Sequence, residues 1–158
     1  MKTQKEKKDT AGVIAPPPLI YIATLSIGLF LHAVYPLRLL PHGWTAPPGL
    51  GFIVTGALLA ISGFRAMGRA GTDVNPYEPT TALVTDGPFQ FTRNPLYLAL
   101  TLLYIGIALL VNALWAILLL PAAILIMRYG VIDREERYLE QEFGEAYFQY
   151  RRRVRRWI

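Results

Sequence analysis

"RNPLYLALTLLYIGIALLVNALWAILLLPAAILIMR", residues 93–128, runs for 34 residues between its two arginines without a charged side chain. As one continuous helix, Pro95 to Met127 would be about 50 Å long at about 1.5 Å per residue. A hydrocarbon core is only about 30 Å thick. The stretch therefore has to fold back on itself. Asn112 sits near its middle and is its best turn residue, which predicts two short helices, about 95–111 and 113–128, joined by a tight hairpin. Both ends of the hairpin then emerge on one side of a membrane.

The remainder of the chain supports a membrane setting. Of its 158 residues 53% are hydrophobic and only 17% charged, against roughly a quarter charged in soluble domains. Residues 10–37 and 39–64 also lack charged side chains, and each is long enough for one span. The first is expected over about Leu19 to Leu40, with Pro36 kinking its outer end. The second is expected over about Gly49 to Met67, where Gly56 and Ala60 have the small-xxx-small spacing that lets helices approach closely in lipid. The predicted fold class is all-α: a multi-pass membrane protein of about four transmembrane helices, two spans plus the hairpin, with a C-terminal amphipathic interfacial helix.

Charge distribution orients this arrangement. Lys2, Lys5, Lys7 and Lys8 lie in the N-terminal tail, Arg65, Arg69 and Arg93 in the 65–94 segment, and eight arginines from Arg128 onward, so 15 of the 16 basic residues fall on one side. By the positive-inside rule that side, with both termini, is cytoplasmic. The basic excess is thereby accounted for, and membrane lipids rather than nucleic acid are the expected partners. The chain has no cysteine and two histidines, His32 and His42, far apart in sequence. Thiol chemistry is excluded, no metal site is expected, and both histidines are read as structural. The apolar run near the N-terminus is too long for the core of a cleavable signal peptide.

Three regions follow: a disordered basic tail, 1–15; helices one and two, 16–68; and a core, 69–158, containing a loop, the hairpin 95–128 and a C-terminal helix. The loop "RAGTDVNPYEPTTALVTDGPFQFTRN", 69–94, is rich in turn formers. Its Leu83, Val84, Phe89 and Phe91 favour a packed loop, and connections of this length are often functional. Beyond Arg128, residues Leu139, Phe143, Tyr147, Tyr150, Val154 and Trp157 recur on one helical face, with Gly144 as a weak point midway. The arginines at 151–156 beside Trp157 suit the headgroup layer.

Asn94 and Pro95 form a favourable helix start, and Arg93 is explained as a cationic anchor. The same start also directs the N–H groups of Leu96 and Tyr97 toward the cytoplasmic boundary, where they can receive a carboxylate or phosphate. The hairpin returns the chain to this boundary with "DREER", bringing Glu135 and Glu136. Amide donors at one pole and a carboxylate at the other can grip an amino-acid moiety. Taken alone, Glu135 and Glu136 equally suit a solvated helix face.

"TTALVTDGPFQFTRNPLYLAL" followed by "REERYLEQEFGEAYFQY" resembles the isoprenylcysteine carboxyl methyltransferase family and the wider group of phospholipid methyltransferases, over roughly residues 69–150. The resemblance implies an integral membrane enzyme that uses S-adenosylmethionine. It implies that Thr81, Ala82, Leu83, Val84 and Phe89 enclose the cofactor, that Asn94, Pro95, Leu96 and Tyr97 line its methionyl end, and that Glu135 binds its ammonium group. Glu136 is assigned to supporting the helix or its neighbours. Asn94 stands where many members have histidine, so a titrating base there is excluded. The arginine expected to pair with an acceptor carboxylate falls at about Val131, leaving Arg128 and Arg134, three residues to either side, as substrate-orienting candidates. No general base is identified, which favours an acceptor that is already nucleophilic.

The expected function is methyl transfer to a small amphipathic or lipid-like acceptor (carboxylate, amine or hydroxyl) at the cytoplasmic membrane face. Two alternatives remain at this point: a non-catalytic membrane protein that binds anionic lipid or a partner, and a membrane reductase related to the sterol reductases. The second lacks a dinucleotide fingerprint. Oligomeric state is not fixed by the sequence.

Overall fold

A computed structural model describes residues 10–41, 43–73 and 77–158, and among these the regular structure is helical. The helices are α1, Pro17–Val34; α2, Ala46–Ala70; α3, Pro95–Val111; α4, Leu114–Met127; α5, Asp133–Phe143; and α6, Glu145–Arg153. A 3₁₀ turn occupies Gly87–Gln90, and a π-helical turn, Arg128–Ile132, joins α4 to α5. The one β-type pairing among the described residues is an isolated bridge between Arg38 and Ala113. Most of the expected 1–15 tail, residues 1–9, and His42 lie outside the described residues.

Three helical runs are long and apolar enough to cross a membrane: Pro17–Val34, Ala46–Ala70 and Leu114–Phe143. Pro95–Val111 is a shorter apolar helix. The apolar part of the third run ends at Ile132, and Asp133 to Arg153 are read as lying outside the hydrocarbon.

Local chemistry sets the helix ends. Proline in the first turn starts α1, α2 and α3, where a missing N–H costs nothing. Helix α1 stops at Val34, two residues before Pro36, so that proline follows the helix instead of kinking it. The expected span to Leu40 is shortened accordingly. Gly71 closes α2 with φ 68°. Gly144, at φ 50°, separates α5 from α6, so the C-terminal helix is two short ones.

The hairpin turns at Asn112, whose φ of 59° is left-handed, a conformation asparagine tolerates better than most residues. Its side chain then locks the outer loop. Oδ1 accepts from the N–H groups of Leu39 and Leu40 at 2.8 and 3.0 Å, and Nδ2 donates to Leu40 O at 2.8 Å. Leu114 N–H donates to Leu37 O at 3.0 Å, and Trp115 Nε1 to Tyr35 O at 2.8 Å.

Close packing follows from missing side chains. Along α2, Gly49, Gly56 and Gly63 face Leu110, Ala99 with Leu103, and Leu96 of α3. Seven-residue spacing runs through this contact, Gly56 lies within it, and Ala60 borders a cavity. Helix α1 packs on α4 where a Cβ on Gly28 would meet Ala116. The main core joins Ile20 and Tyr21, Tyr104 and Ala108, and Leu120, Ala123 and Met127 to Val131 and Ile132. His32 lies within α1, away from that cavity.

The segment before α1 straps onto the π turn. Ile14 N–H donates to Gly130 O at 3.2 Å, and Arg134 Nη1 donates to Gly12 O at 2.9 Å. The Ile14 side chain fills the space that a Cβ on Gly130 would need.

Replacing Asn112 with glycine keeps the left-handed turn and removes the clamp, three hydrogen bonds each worth about 1 kcal/mol net. Asn112→Gly is expected to lower stability by about 2–3 kcal/mol. Asn112→Asp, which retains the acceptor for Leu39 and Leu40, is expected to lose less. Denaturation in mixed detergent micelles, followed by helix content, measures both.

Candidate functional site

The first turn of α3, the first turn of α5 and the C-terminal tail meet at one end of the helices. Glu136 of α5 is their junction. It is 6% exposed, a position where an unpaired carboxylate would be strongly unfavourable. Arg156 grips it with two bonds, Nε to Oε1 at 3.0 Å and Nη2 to Oε2 at 2.7 Å. Arg93 Nη1 approaches Oε1 at 3.1 Å, and Arg156 Nη2 also reaches Asp133 at 2.9 Å. The Glu136 contact holds the Arg156 guanidinium above its usual range, partly offset by desolvation. Arg93 Nη1 donates to the Tyr147 hydroxyl at 3.3 Å, which burial and then Glu136 push up to about 12.

Backbone contacts complete the junction. Arg93 N–H donates to Arg155 O at 3.0 Å, Thr92 Oγ1 to Arg156 O at 3.1 Å, and Asn94 Nδ2 to Arg156 O at 3.0 Å. The Asn94 side chain therefore holds the tail and makes no capping bond to α3. The first turn of α3 keeps its donors uncapped.

Above the junction lies a cavity of about 820 Å³. Nine of the ten residues expected at the cofactor line it: Ala82, Leu83, Val84, Phe89, Asn94, Pro95, Leu96, Tyr97 and Glu135. Thr81 does not. Its Oγ1 donates to Gly71 O at 3.0 Å and its N–H to Thr72 Oγ1 at 3.3 Å, because the chain turns back toward the end of α2 there. Neither substrate-orienting candidate borders the cavity. Arg128 stacks on the Tyr129 ring, 5.4 Å from its centroid, and Arg134 is committed to Gly12. The π turn inserts an extra residue between α4 and α5, and Val131 is fully buried in the core.

Arg93 lines the cavity, a placement its reading as a surface anchor missed. Tyr138 and Tyr147 line it too, as do Phe64 and Met67 of α2 and Pro16–Pro18 at the start of α1. No local spacing announces the Arg93 placement, because its partner Glu136 lies on α5. The stripe on the C-terminal helices packs inward, with Tyr147, Tyr150 and Val154 against Leu83 and Phe89. Phe91, expected in the packed loop, is 76% exposed, on the outer side of the 3₁₀ turn.

Glu135 differs from its neighbour. Its Oε1 accepts from the Tyr97 hydroxyl at 2.6 Å, and among the described residues no lysine or arginine pairs with it. Burial raises its pKa to about 7, with the Tyr97 hydrogen bond working against the rise and Glu136 adding to it. A half-buried acid lacking a cation, in a cavity that also holds an uncapped helix start, suits a ligand with an ammonium and a carboxylate on one carbon.

A model of the phospholipid methyltransferase family matches residues 44–146. The chain is similar to protein-S-isoprenylcysteine O-methyltransferase B of Arabidopsis thaliana, 32% identical over 118 residues, covering 72% of this chain and 58% of the relative. It is similar to protein-S-isoprenylcysteine O-methyltransferase of Schizosaccharomyces pombe, 29% identical over 107 residues, covering 66% of this chain and 45% of the relative. It also resembles an uncharacterized protein of Haemophilus influenzae, 38% identical over 63 residues, which is 40% of this chain and all of that one. The chain thus spans about half the length of the two methyltransferases. No solved structure matches it.

Glu136→Gln strands two arginines and is expected to cost about 3 kcal/mol, the usual scale for breaking a buried ion pair. Glu140→Gln removes the partner of Arg151, whose side chain is 44% exposed, and is expected to cost under about 1 kcal/mol. Parallel thermal melts of the two variants make the comparison.

Proposed function

Because the chain belongs to the phospholipid methyltransferase family, the group of integral membrane methyltransferases that includes the isoprenylcysteine enzymes, we propose that it transfers a methyl group from S-adenosylmethionine to a small amphipathic, lipid-like acceptor at the cytoplasmic membrane face. The observation that carries this reading is Glu135, a half-buried carboxylate without a cation among the described residues, sharing one cavity with the uncapped first turn of α3.

The residues present fit the cofactor. Glu135 would take the ammonium group of the methionyl end, and the N–H groups of Leu96 and Tyr97 its carboxylate. Leu83, Val84 and Phe89 offer the apolar surface an adenine ring prefers. When bound, S-adenosylmethionine supplies an electrophilic methyl on a sulfonium centre. The protein's part is to hold an acceptor in line with that methyl at about 3–3.5 Å and to exclude water. No lining side chain is needed as a base if the acceptor arrives already nucleophilic.

The cavity also extends beyond what the cofactor residues enclose. Its apolar wall reaches Phe64, 51% exposed on α2, and Pro18, exposed at the start of α1. That continuity with the outer faces of the helices supports entry of the acceptor from the bilayer and of the cofactor from the aqueous side. Both termini and the 69–94 loop then lie in the cytoplasm, as the distribution of basic residues favours. The relatives are named for methylating oxygen on isoprenylcysteine. With Val131 at the position of the expected acceptor arginine, and Arg128 and Arg134 away from the cavity, acceptor recognition here uses other contacts.

Isothermal titration of the purified protein in nanodiscs tests the reading. S-adenosylmethionine is expected to bind, and Glu135→Gln to weaken binding at least about tenfold, the scale of one charge-assisted contact. A cationic ligand favours ionised Glu135, so affinity should rise as pH increases through about 7 and level off above it. Below that point affinity should fall by up to about tenfold per pH unit, and Glu135→Gln should abolish this dependence. A wild-type protein that gives no binding signal would overturn the reading. Normal affinity in the variant would overturn the role of Glu135 alone.

A further inference from the structure

Glu136 is held by two arginines, but Glu135 is held by a neutral tyrosine. Tyr97 lies in the first turn of α3, at the third helical position, and Glu135 in the first turn of α5. The 2.6 Å bond from the Tyr97 hydroxyl to Oε1 is the one hydrogen bond that spans the cavity from helix start to helix start among the described residues. The tyrosine is itself braced. Thr101 Oγ1 donates to Tyr97 O at 2.9 Å, and the same Oγ1 lies 2.8 Å from the hydroxyl of Tyr21. Tyr21, 3% exposed in α1, lies outside the span that the family model matches.

A carboxylate with one oxygen committed to a fixed donor loses rotation about its last torsion and presents its second oxygen in one direction. Using a neutral donor for that purpose leaves the negative charge uncompensated and available to a cation. An arginine or lysine in the same place would fix the oxygen and cancel the charge, as Arg93 and Arg156 do for Glu136. The plainer alternative is that the Tyr97 hydroxyl merely needs an acceptor wherever it is buried. The two differ in what removal of the hydroxyl does to Glu135.

We propose that Tyr97 is the positioning residue for Glu135: its hydroxyl fixes one carboxylate oxygen so that the other, still charged, receives the ammonium group of the ligand. This rests on the reading of the cavity as an S-adenosylmethionine site. The groups that face Glu135 are few. From α3 there is Tyr97; on its own helix there is Glu136, neutralised by Arg93 and Arg156. The other ionisable groups lining the cavity are Asp73, Tyr77, Tyr138 and Tyr150, with Arg93 paired to Glu136 and Tyr147. Of these, Tyr97 is the one that lowers the Glu135 pKa against its burial.

Tyr97→Phe, which deletes one oxygen, is the test, read by titration calorimetry with S-adenosylmethionine from pH 6 to pH 9. The expected result is about a tenfold loss of affinity at pH 7. The midpoint of the pH dependence should move to higher pH, so that the deficit narrows as pH rises. Glu135→Asp, which keeps the charge and withdraws it from the hydroxyl, should move the midpoint the same way and serves if the phenylalanine variant does not fold. An unchanged midpoint, or a loss equal at every pH, overturns the proposal and leaves Tyr97 a packing residue. A wild-type protein that binds no S-adenosylmethionine at any pH overturns the underlying reading, and the proposal with it.

Discussion

The site depends on one buried carboxylate with two arginines. Glu136 joins α5 to Arg93, at the entrance of α3, and to Arg156, in the tail that follows α6. Three segments far apart in sequence are thereby held within a few ångströms of one another. Such a pair gains little net stability over an apolar substitute, because desolvation offsets most of the attraction. Its value is geometric: a bidentate arginine admits one orientation. With Glu136 fixed, the next residue along the helix is fixed too, and Glu135 comes to lie beside Tyr97.

Adjacent acids with opposite fates are the central electrostatic feature. Glu136 is neutralised twice, and Glu135 keeps only a hydroxyl. Glu136 is buried and Glu135 half-buried, and the difference in their partners arises from the elements they face. One side of α5 meets the arginine-bearing tail, and the other meets the first turn of an apolar helix. The cavity thus keeps a single negative pole among largely apolar walls, where a charge acts over short distances with little screening. Uncapped amide donors at the start of α3 supply the opposite pole.

Much of this was legible in the sequence, for identifiable reasons. A 34-residue charge-free run is too long for one ordinary crossing, so the hairpin followed from length and its place at Asn112 from turn chemistry. The start of α3 was visible in Asn94 and Pro95, and nine of the ten residues carried over by resemblance border one cavity. What stayed hidden was mostly long-range. Nothing local pairs Arg93 with Glu136, 43 positions later by their numbering, or turns Asn94 toward the tail instead of its own helix. The π turn at 128–132 has no proline or polar run to announce it, yet it decides where Arg128, Val131 and Arg134 point. Thr81 was misplaced because a loop rich in turn formers reverses direction there.

The strap before α1 has a consequence of its own. Ile14 occupies the notch that Gly130 leaves open, and Ala11 and Pro16–Pro18 finish one wall of the chamber. This wall lies outside the matched span of 44–146, while the notch lies inside it. The chamber is therefore a composite of residues inside the matched span and residues ahead of it, joined in part by Ile14 against Gly130. Exchanging the segment that leads into α1 would carry over a key without its lock unless both sides of that contact travelled together.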